Sequence, residues 1–345
     1  MTTSSRPKVL RLGSVEFAHE KWAQLAEIAE VIQSTSQTRQ EFLEDLSEKY
    51  NDVTHIARTF ASVEQTGRFD EELASHLPHS VVSVSHNGAG YDQIDVDAFT
   101  ARGVQVSNVT VPVEGPTADT AVYLVLSCLR NFQQGHNILA SGGWDDKKCG
   151  GAALGRNPES KVVGILGMGG IGRAIRDRLI PFGFKKIIYH NRSQLKSELE
   201  NGAEYVSYDE LLSQSDIICL SIPLNSKTRH SIDKQVIEKM KDGVIIVNTA
   251  RGAIIDEAIL PELIKSGKIG AFGSDVFEHE PQVSPELYSL PNVVSLPHMG
   301  THSVDAIKNM EEWVVENVET CIKTGKVKTI VPEQYNIKFQ KVLNV

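Results

Sequence analysis

The stretch KVVGILGMGGIG, residues 161–172, constrains this chain more than any other. An apolar run of strand type ends in Gly167-Met168-Gly169-Gly170-Ile171-Gly172, and the helix-like RAIRDRLIPFG follows. The three spaced glycines have separate uses. The first allows a tight bend, the second lets phosphates approach the backbone, and the third lets helix and strand pack closely. The helix N-terminus adds unpaired N–H groups and the positive end of its dipole. A glycine turn alone is weak grounds. With its flanking strand and helix it predicts a unit that holds a dinucleotide.

The surroundings repeat the same alternation. KVLRLG (8–13), HIARTF (55–60), VVSVSH (81–86) and VQVSN (104–108) read as short strands, with a helical stretch near 17–30. A long helix-like run, 117–140, has Asp119 near its start and Gly142-Gly143 at its end. A fresh series then reads as strands at 161–167, 185–190, 216–223, 243–250, 270–277 and 293–298, before a last helix at 304–324. Near-continuous apolar strands suggest parallel sheets covered on both faces. The fold expected is α/β, with two Rossmann- or flavodoxin-like doubly wound parallel-sheet domains and an active-site cleft between them. Residues 1–112, completed by 306–345, would form a substrate-binding domain, and 113–305 the dinucleotide-binding domain.

Composition narrows the partners. The 345 residues are 41% hydrophobic and 23% charged, with a net charge of −9, which argues against a nucleic-acid or anionic-membrane surface. Cys128, Cys149, Cys219 and Cys321 form no CxxC pair and read as reduced core thiols. The start, MTTSSRPKVLRLG, lacks a signal-peptide core, and no apolar run nears the ~20 residues of a membrane span. The ending Leu343-Asn344-Val345 matches no common address signal. A cytoplasmic protein is expected.

An acidic residue about 20 positions after the glycine turn would bind the adenosine ribose of NAD. Here that place holds His190-Asn191-Arg192-Ser193, within IIYHNRS. A cation and several donors suit a 2′-phosphate, so the sequence favours NADPH, with NADH possible but disfavoured. On the plainer alternative Arg192 is a solvated loop residue, and NAD is taken without an acidic anchor.

SHNGAGYDQID (85–95) holds a second glycine pair, Gly88-Ala89-Gly90, but Gln93 stands where a third glycine would be needed. Its amides could form an anion nest for a small carboxylate, or the pair could be only a tight turn. Three further segments end strands with a reactive residue: NTARG with Arg251, DVFEHEP with Glu280 and SLPHMG with His298. Ligands of open α/β sheets bind beyond the carboxyl ends of the strands, so all three can face one ligand. His298 and His302 have an i,i+4 spacing, but no Glu lies between them and no third ligand is evident, so no metal is expected.

NGAGYDQID, TADTAVYLVL, GILGMGGIGR, SIPLNSKTRHSID, VNTARGAIIDE, DVFEHEP and LPHMGTHS, in this order, resemble the D-isomer-specific 2-hydroxyacid dehydrogenase family over nearly the whole chain. The likeness is greatest to its fungal NADPH-dependent glyoxylate/hydroxypyruvate reductases. The resemblance implies that Arg251 holds the substrate carboxylate and 2-oxo group, with Gly88-Ala89-Gly90 sharing the carboxylate. His298 would be the general acid and Glu280 its partner. Thr249, Ala250, Asp275 and Gly300 would fix the nicotinamide, and Pro223 and Thr228 the adenosine side. His279 would be a variable neighbour of Glu280.

The implied reaction is NADPH-dependent reduction of glyoxylate or hydroxypyruvate to glycolate or D-glycerate, by a homodimer. Thr117-Ala118-Asp119 stands where many relatives have Val-Ala-Glu, which leaves bulkier 2-oxo acids (phenylpyruvate, 2-oxoisocaproate, benzoylformate) as an alternative. A dinucleotide-sensing corepressor is the reading from outside enzymology.

Overall fold

Twelve strands build two separate sheets in the computed structural model, which describes residues 6–339. Met1–Ser5 and the ending Leu343-Asn344-Val345 lie outside the described residues. The chain divides into two compact units, one running to Val113 and resuming at His302, the other spanning Glu114–Thr301.

The first unit holds β1 (Lys8–Leu12), β2 (Glu30–Gln33), β3 (His55–Thr59), β4 (Ser83–Asn87) and β5 (Gln105–Ser107). All are parallel, in the order β2-β1-β3-β4-β5. This is a doubly wound arrangement that reverses between β1 and β3. Its core gathers Leu10, Leu12, Phe42, Ile56 and Val106 around Phe69 and Phe99, whose rings stack 5.7 Å apart. Each such fully buried side chain contributes about 1.5–3 kcal/mol.

The helix Val304–Thr324 packs on β3, β4 and the helix His19–Ile28 of this unit. Ser303 caps its start through the Ala306 amide, and Gly325 ends it at φ 76°. Past the helix, Val331 donates its amide to the Val106 carbonyl, and Gln334 accepts from the Val106 amide. The C-terminal segment thus closes the sheet that the N-terminal segment opens.

The second unit contains β6 (Val162–Leu166), β7 (Lys186–His190), β8 (Glu204–Tyr205), β9 (Ile217–Leu220), β10 (Val244–Asn248), β11 (Ile269–Ser274) and β12 (Val293–Ser295). They run parallel in the order β12-β11-β10-β9-β6-β7-β8, which is the Rossmann order with one strand added. Successive side chains feed opposite faces. Val163, Ile165, Ile217, Cys219, Ile245 and Val247 enter one core, while Leu166, Ile218, Leu220, Val244 and Ile246 enter the other. This explains the unbroken apolar runs, because both faces are covered. Ala118, Ala121, Val125 and Cys128, at helical spacing, lay the helix Val111–Arg130 on the first of these faces.

Three expectations need correction. The run 117–140 is two helices, Val111–Arg130 and Phe132–Ala140, broken at Asn131 in the left-handed region (φ 55°). Asp119 lies inside the first of them and pairs with Arg178 instead of capping it. Cys149 is exposed, whereas the other three cysteines are buried. The short strands β2 and β8 were absent from the sequence reading; β2 shows no fully buried position to mark it.

Glu311 is the buried anchor of the first unit, at 5% exposure. Its carboxylate accepts the amides of Glu16, Phe17 and Ala18 at 2.7, 2.9 and 2.8 Å, fixing the turn after β1. Glu311→Ala strands three donors and should cost about 2–3 kcal/mol. Urea unfolding would measure it, and a loss below about 1 kcal/mol would contradict this role.

Candidate active site

The glycine turn is built as its spacing requires. Gly167 adopts φ 98°, and a Cβ there would lie 2.4 Å from the Ser221 carbonyl oxygen. A Cβ on Gly172 would lie 2.1 Å from the Gly167 carbonyl oxygen, so helix and strand meet with no room for a side chain. A Cβ on Gly169 would meet nothing within 4 Å, which leaves open space over the backbone. No side chain caps the helix Gly170–Leu179, so its first amides remain for a ligand. This cradle fits the diphosphate of a dinucleotide. Met168 is fully buried and its amide donates to Asn191 Oδ1 at 2.7 Å, while Ile171 packs against the core.

The tip of β7 stands beside this turn, since Gly167 donates its amide to the His190 carbonyl at 3.0 Å. His190 is held by a 2.9 Å contact from Nδ1 to the Val206 carbonyl and by stacking on Tyr205. Asn191 is committed to Met168, and its carbonyl accepts from Tyr205 Oη. Arg192 and Ser193 are exposed just beyond. On the next loop Thr228 Oγ1 donates to the Pro223 carbonyl at 2.6 Å and closes the turn itself.

At the end of β10, Asn248 is buried and holds the NTARG turn from inside. Its Nδ2 donates to the Arg251 carbonyl and its Oδ1 accepts the Ala250 amide. Thr249 is nearly buried, and Arg251 is half-buried with NH1 on the Ala250 carbonyl. The next residue must be glycine. A Cβ at Gly252 would lie 1.9 Å from the Phe277 carbonyl carbon and 2.3 Å from the Glu278 nitrogen. The Arg251 turn is therefore pressed directly against the loop that leads to Glu280.

Glu280 folds back so that Oε1 accepts the Phe277 amide at 2.8 Å, while Oε2 lies 2.7 Å from His298 Nδ1. Burial pushes its carboxyl up, but the hydrogen bond and charge of His298, the Phe277 amide and the Arg251 charge outweigh this. The net position is below the ordinary carboxylate range, so the pair holds a carboxylate at neutral pH.

His298 occupies the left-handed region at φ 52°, which is unusual for a side chain larger than glycine. Asp275 holds it there. Its carbonyl accepts the His298 amide at 2.8 Å, and its two carboxylate oxygens accept the Met299 and Gly300 amides at 2.7 Å each. Burial raises the Asp275 carboxyl, an effect the two amides and His298 only partly offset. Arg251, Glu280 and His298 are thus brought to one edge of this sheet. Asn248, Gly252 and the amide-binding face of Asp275 were not foreseen. The strand-end segments NTARG and DVFEHEP pointed to Arg251 and Glu280, and nothing in the sequence says which backbone groups a buried carboxylate will take.

In the first unit the Gly88-Ala89-Gly90 turn has all three carbonyls drawn inward. They accept from the Val109 amide, Asn108 Nδ2 and His86 Nε2 at 3.0, 2.8 and 3.0 Å. Among the described residues no group of three or more His, Cys, Asp or Glu is placed to hold a metal. Nor, among the described residues, is any helix long and apolar enough to cross a membrane.

Comparison with known proteins agrees with this architecture. A family described as "D-isomer specific 2-hydroxyacid dehydrogenase, NAD binding domain" matches residues 122–300. Glyoxylate reductase 1 of Saccharomyces cerevisiae is 53% identical, over 96% of this chain and 97% of its own. The 4-methyl-2-oxopentanoate reductase A of Aspergillus oryzae is 45% identical, over 96% and 99%. A crystal structure of a glyoxylate reductase from "Paecilomyes thermophila" superposes with a TM-score of 0.92 at 45% identity, covering 96% of this chain and 99% of that one. With its two parallel-sheet units and its dinucleotide cradle, the chain belongs to the D-isomer-specific 2-hydroxyacid dehydrogenase family.

Proposed function

We propose that this protein is an NADPH-dependent reductase that converts glyoxylate to glycolate and hydroxypyruvate to D-glycerate. The observation that carries the reading is the 2.7 Å contact between His298 Nδ1 and Glu280, set beside the Arg251 turn. NADPH bound at the glycine turn would supply a hydride from nicotinamide C4 to the carbonyl carbon.

The chain's own groups do the rest. With Nδ1 turned to Glu280, Nε2 is the ring nitrogen that gives its proton to the ketone oxygen. The Glu280 carboxylate accepts from Nδ1 and so fixes the orientation of the ring. Arg251 receives the carboxylate and 2-oxo group in its planar fork. The Gly88-Ala89-Gly90 turn shares the carboxylate, its carbonyls being taken up by Val109, Asn108 and His86. Thr249, Ala250 and Gly300 border the nicotinamide, and Asp275 acts there through the 298–300 turn. Pro223 and Thr228 lie along the adenosine side, and His190, Asn191, Arg192 and Ser193 around the 2′-phosphate.

In this reading residues 1–112 with 306–345 bind substrate, and 113–305 bind the dinucleotide. The protein works in the cytoplasm as a homodimer. Support for pairing comes from the helix Phe132–Ala140, which has no buried residue, and from the exposed Phe132, Leu139, Trp144 and Leu154 around it. A second reading, reduction of bulkier 2-oxo acids, is favoured by the likeness to a 4-methyl-2-oxopentanoate reductase.

Purified protein should oxidise NADPH with glyoxylate and hydroxypyruvate faster than with 4-methyl-2-oxopentanoate or phenylpyruvate. The reverse order would select the second reading, and no turnover with any 2-oxo acid would refute both. Arg192→Asp should raise KM for NADPH about tenfold or more, the value of a lost charge-assisted contact, and leave KM for NADH little changed. Equal effects on the two cofactors would remove the 2′-phosphate role.

The lowered Glu280 carboxyl gives a sign for pH. Its contribution to the folded pair is complete above the ordinary carboxylate range and is lost as pH falls through its lowered value. Reductase activity should therefore persist into mildly acidic solution in the wild type. His298→Ala should abolish most turnover while NADPH binding, followed by fluorescence, stays intact; wild-type turnover would refute the acid role.

A further inference from the structure

The loop carrying Glu280 is gripped a second time, by groups outside the proton-transfer pair. Glu278 has a side chain only 8% exposed, and its Oε1 lies 2.6 Å from Arg229 NH2 and 2.8 Å from His230 Nε2. Its amide donates to Glu257 Oε2 at 2.9 Å. On the opposite side Gly252 presses against the Phe277 and Glu278 backbone. Phe277, Glu278 and Glu280 are thus held by Glu257, Arg229, His230, Gly252 and His298.

A carboxylate so withdrawn from water needs a compensating charge. The donors come from the turn that begins at Pro223. That turn is closed by Thr228 Oγ1 on the Pro223 carbonyl and by Asn225 Oδ1, which accepts the Lys227 and Thr228 amides. His230 is held at φ 50°, a conformation that ordinary side chains avoid, with its amide on the Ala253 carbonyl at 2.8 Å. Both basic side chains remain partly exposed, Arg229 at 53% and His230 at 40%, so neither is placed there by burial. What they share is Glu278.

We propose that Glu278 is a positioning residue that joins the 223–230 turn to the Glu280–His298 pair, so that dinucleotide binding at that turn sets the geometry of proton transfer. The inference rests on the roles given above to Pro223, Thr228, Glu280 and His298. Glu278 touches neither substrate nor dinucleotide in this account; it acts through Glu280 on one side and through Arg229 and His230 on the other.

The test is a double-mutant cycle on the full chain, reading kcat with glyoxylate and the Kd of NADPH by fluorescence. Glu278→Ala should lower kcat about tenfold or more, as expected when a reacting group is misplaced. It should weaken NADPH binding about two- to fivefold, the scale of a partly exposed ion pair. Glu278→Gln, which keeps an acceptor oxygen, should restore most of both. In the Glu280→Ala background, Glu278→Ala should change kcat by less than about twofold, because the two act as one unit.

Additive losses in kcat, or a Glu278→Ala protein equal to wild type in kcat and Kd, would overturn the proposal. If Glu278→Ala does not fold, the same cycle is read with Arg229→Ala, whose side chain is largely solvated, and judged by the same criteria. Wild-type turnover in both Glu280→Ala and His298→Ala would instead defeat the underlying proton-transfer reading, whatever Glu278→Ala does.

Discussion

The parallel strand is the constraint on which the rest of this molecule depends. Parallel neighbours cannot be joined by a tight turn, so each pair needs a crossover, and every strand delivers its carboxyl end to the same edge. In the second unit that edge receives the glycine turn after β6, the His190–Ser193 tip of β7, the Pro223 turn after β9, the Arg251 turn after β10, the Glu280 loop after β11 and the His298 turn after β12. Residues more than a hundred positions apart share that edge because sheet topology requires it. The chemistry is then set by small features of the turns: which positions lack a side chain, and which buried carboxylates take which amides.

Those features form a chain of close contacts. Gly167 and Gly172 let the helix Gly170–Leu179 close onto β6, and Gly252 lets the Arg251 turn press on Phe277–Glu278. Asp275 keeps His298 in the left-handed region, and Glu280 turns its imidazole. Interiors are packed too tightly to absorb a methyl group at such places without moving backbone. The glycines therefore specify the site as firmly as the charged residues do.

Much of this was legible from residue order. The two doubly wound sheets follow from strand-like runs alternating with helical ones, and the last helix was expected roughly at 304–324, where Val304–Thr324 stands. Family membership followed from seven short motifs in order. Other features were hidden for physical reasons. The amphipathic signal runs on through Asn131, which alone breaks it by adopting φ 55°. β2 is an edge strand with no buried residue, so it lacks an apolar pattern. Glu311 and Glu278 look like surface acids in sequence, and only the fold shows that each is withdrawn from water to hold amides or basic groups, as it alone shows which amides Asp275 takes. A carboxylate's partners are set by tertiary structure, and local sequence carries no trace of them.

The central claim is that this protein moves a hydride from a nicotinamide to the C2 carbonyl of a 2-oxo acid, with His298 protonating the oxygen from a fixed side. The most direct measurement supplies NADPH deuterated at the transferable C4 position together with hydroxypyruvate, and determines the isotope content and configuration of the glycerate formed. The account predicts D-glycerate carrying one deuterium at C2. Unlabelled product, or L-glycerate, would contradict it.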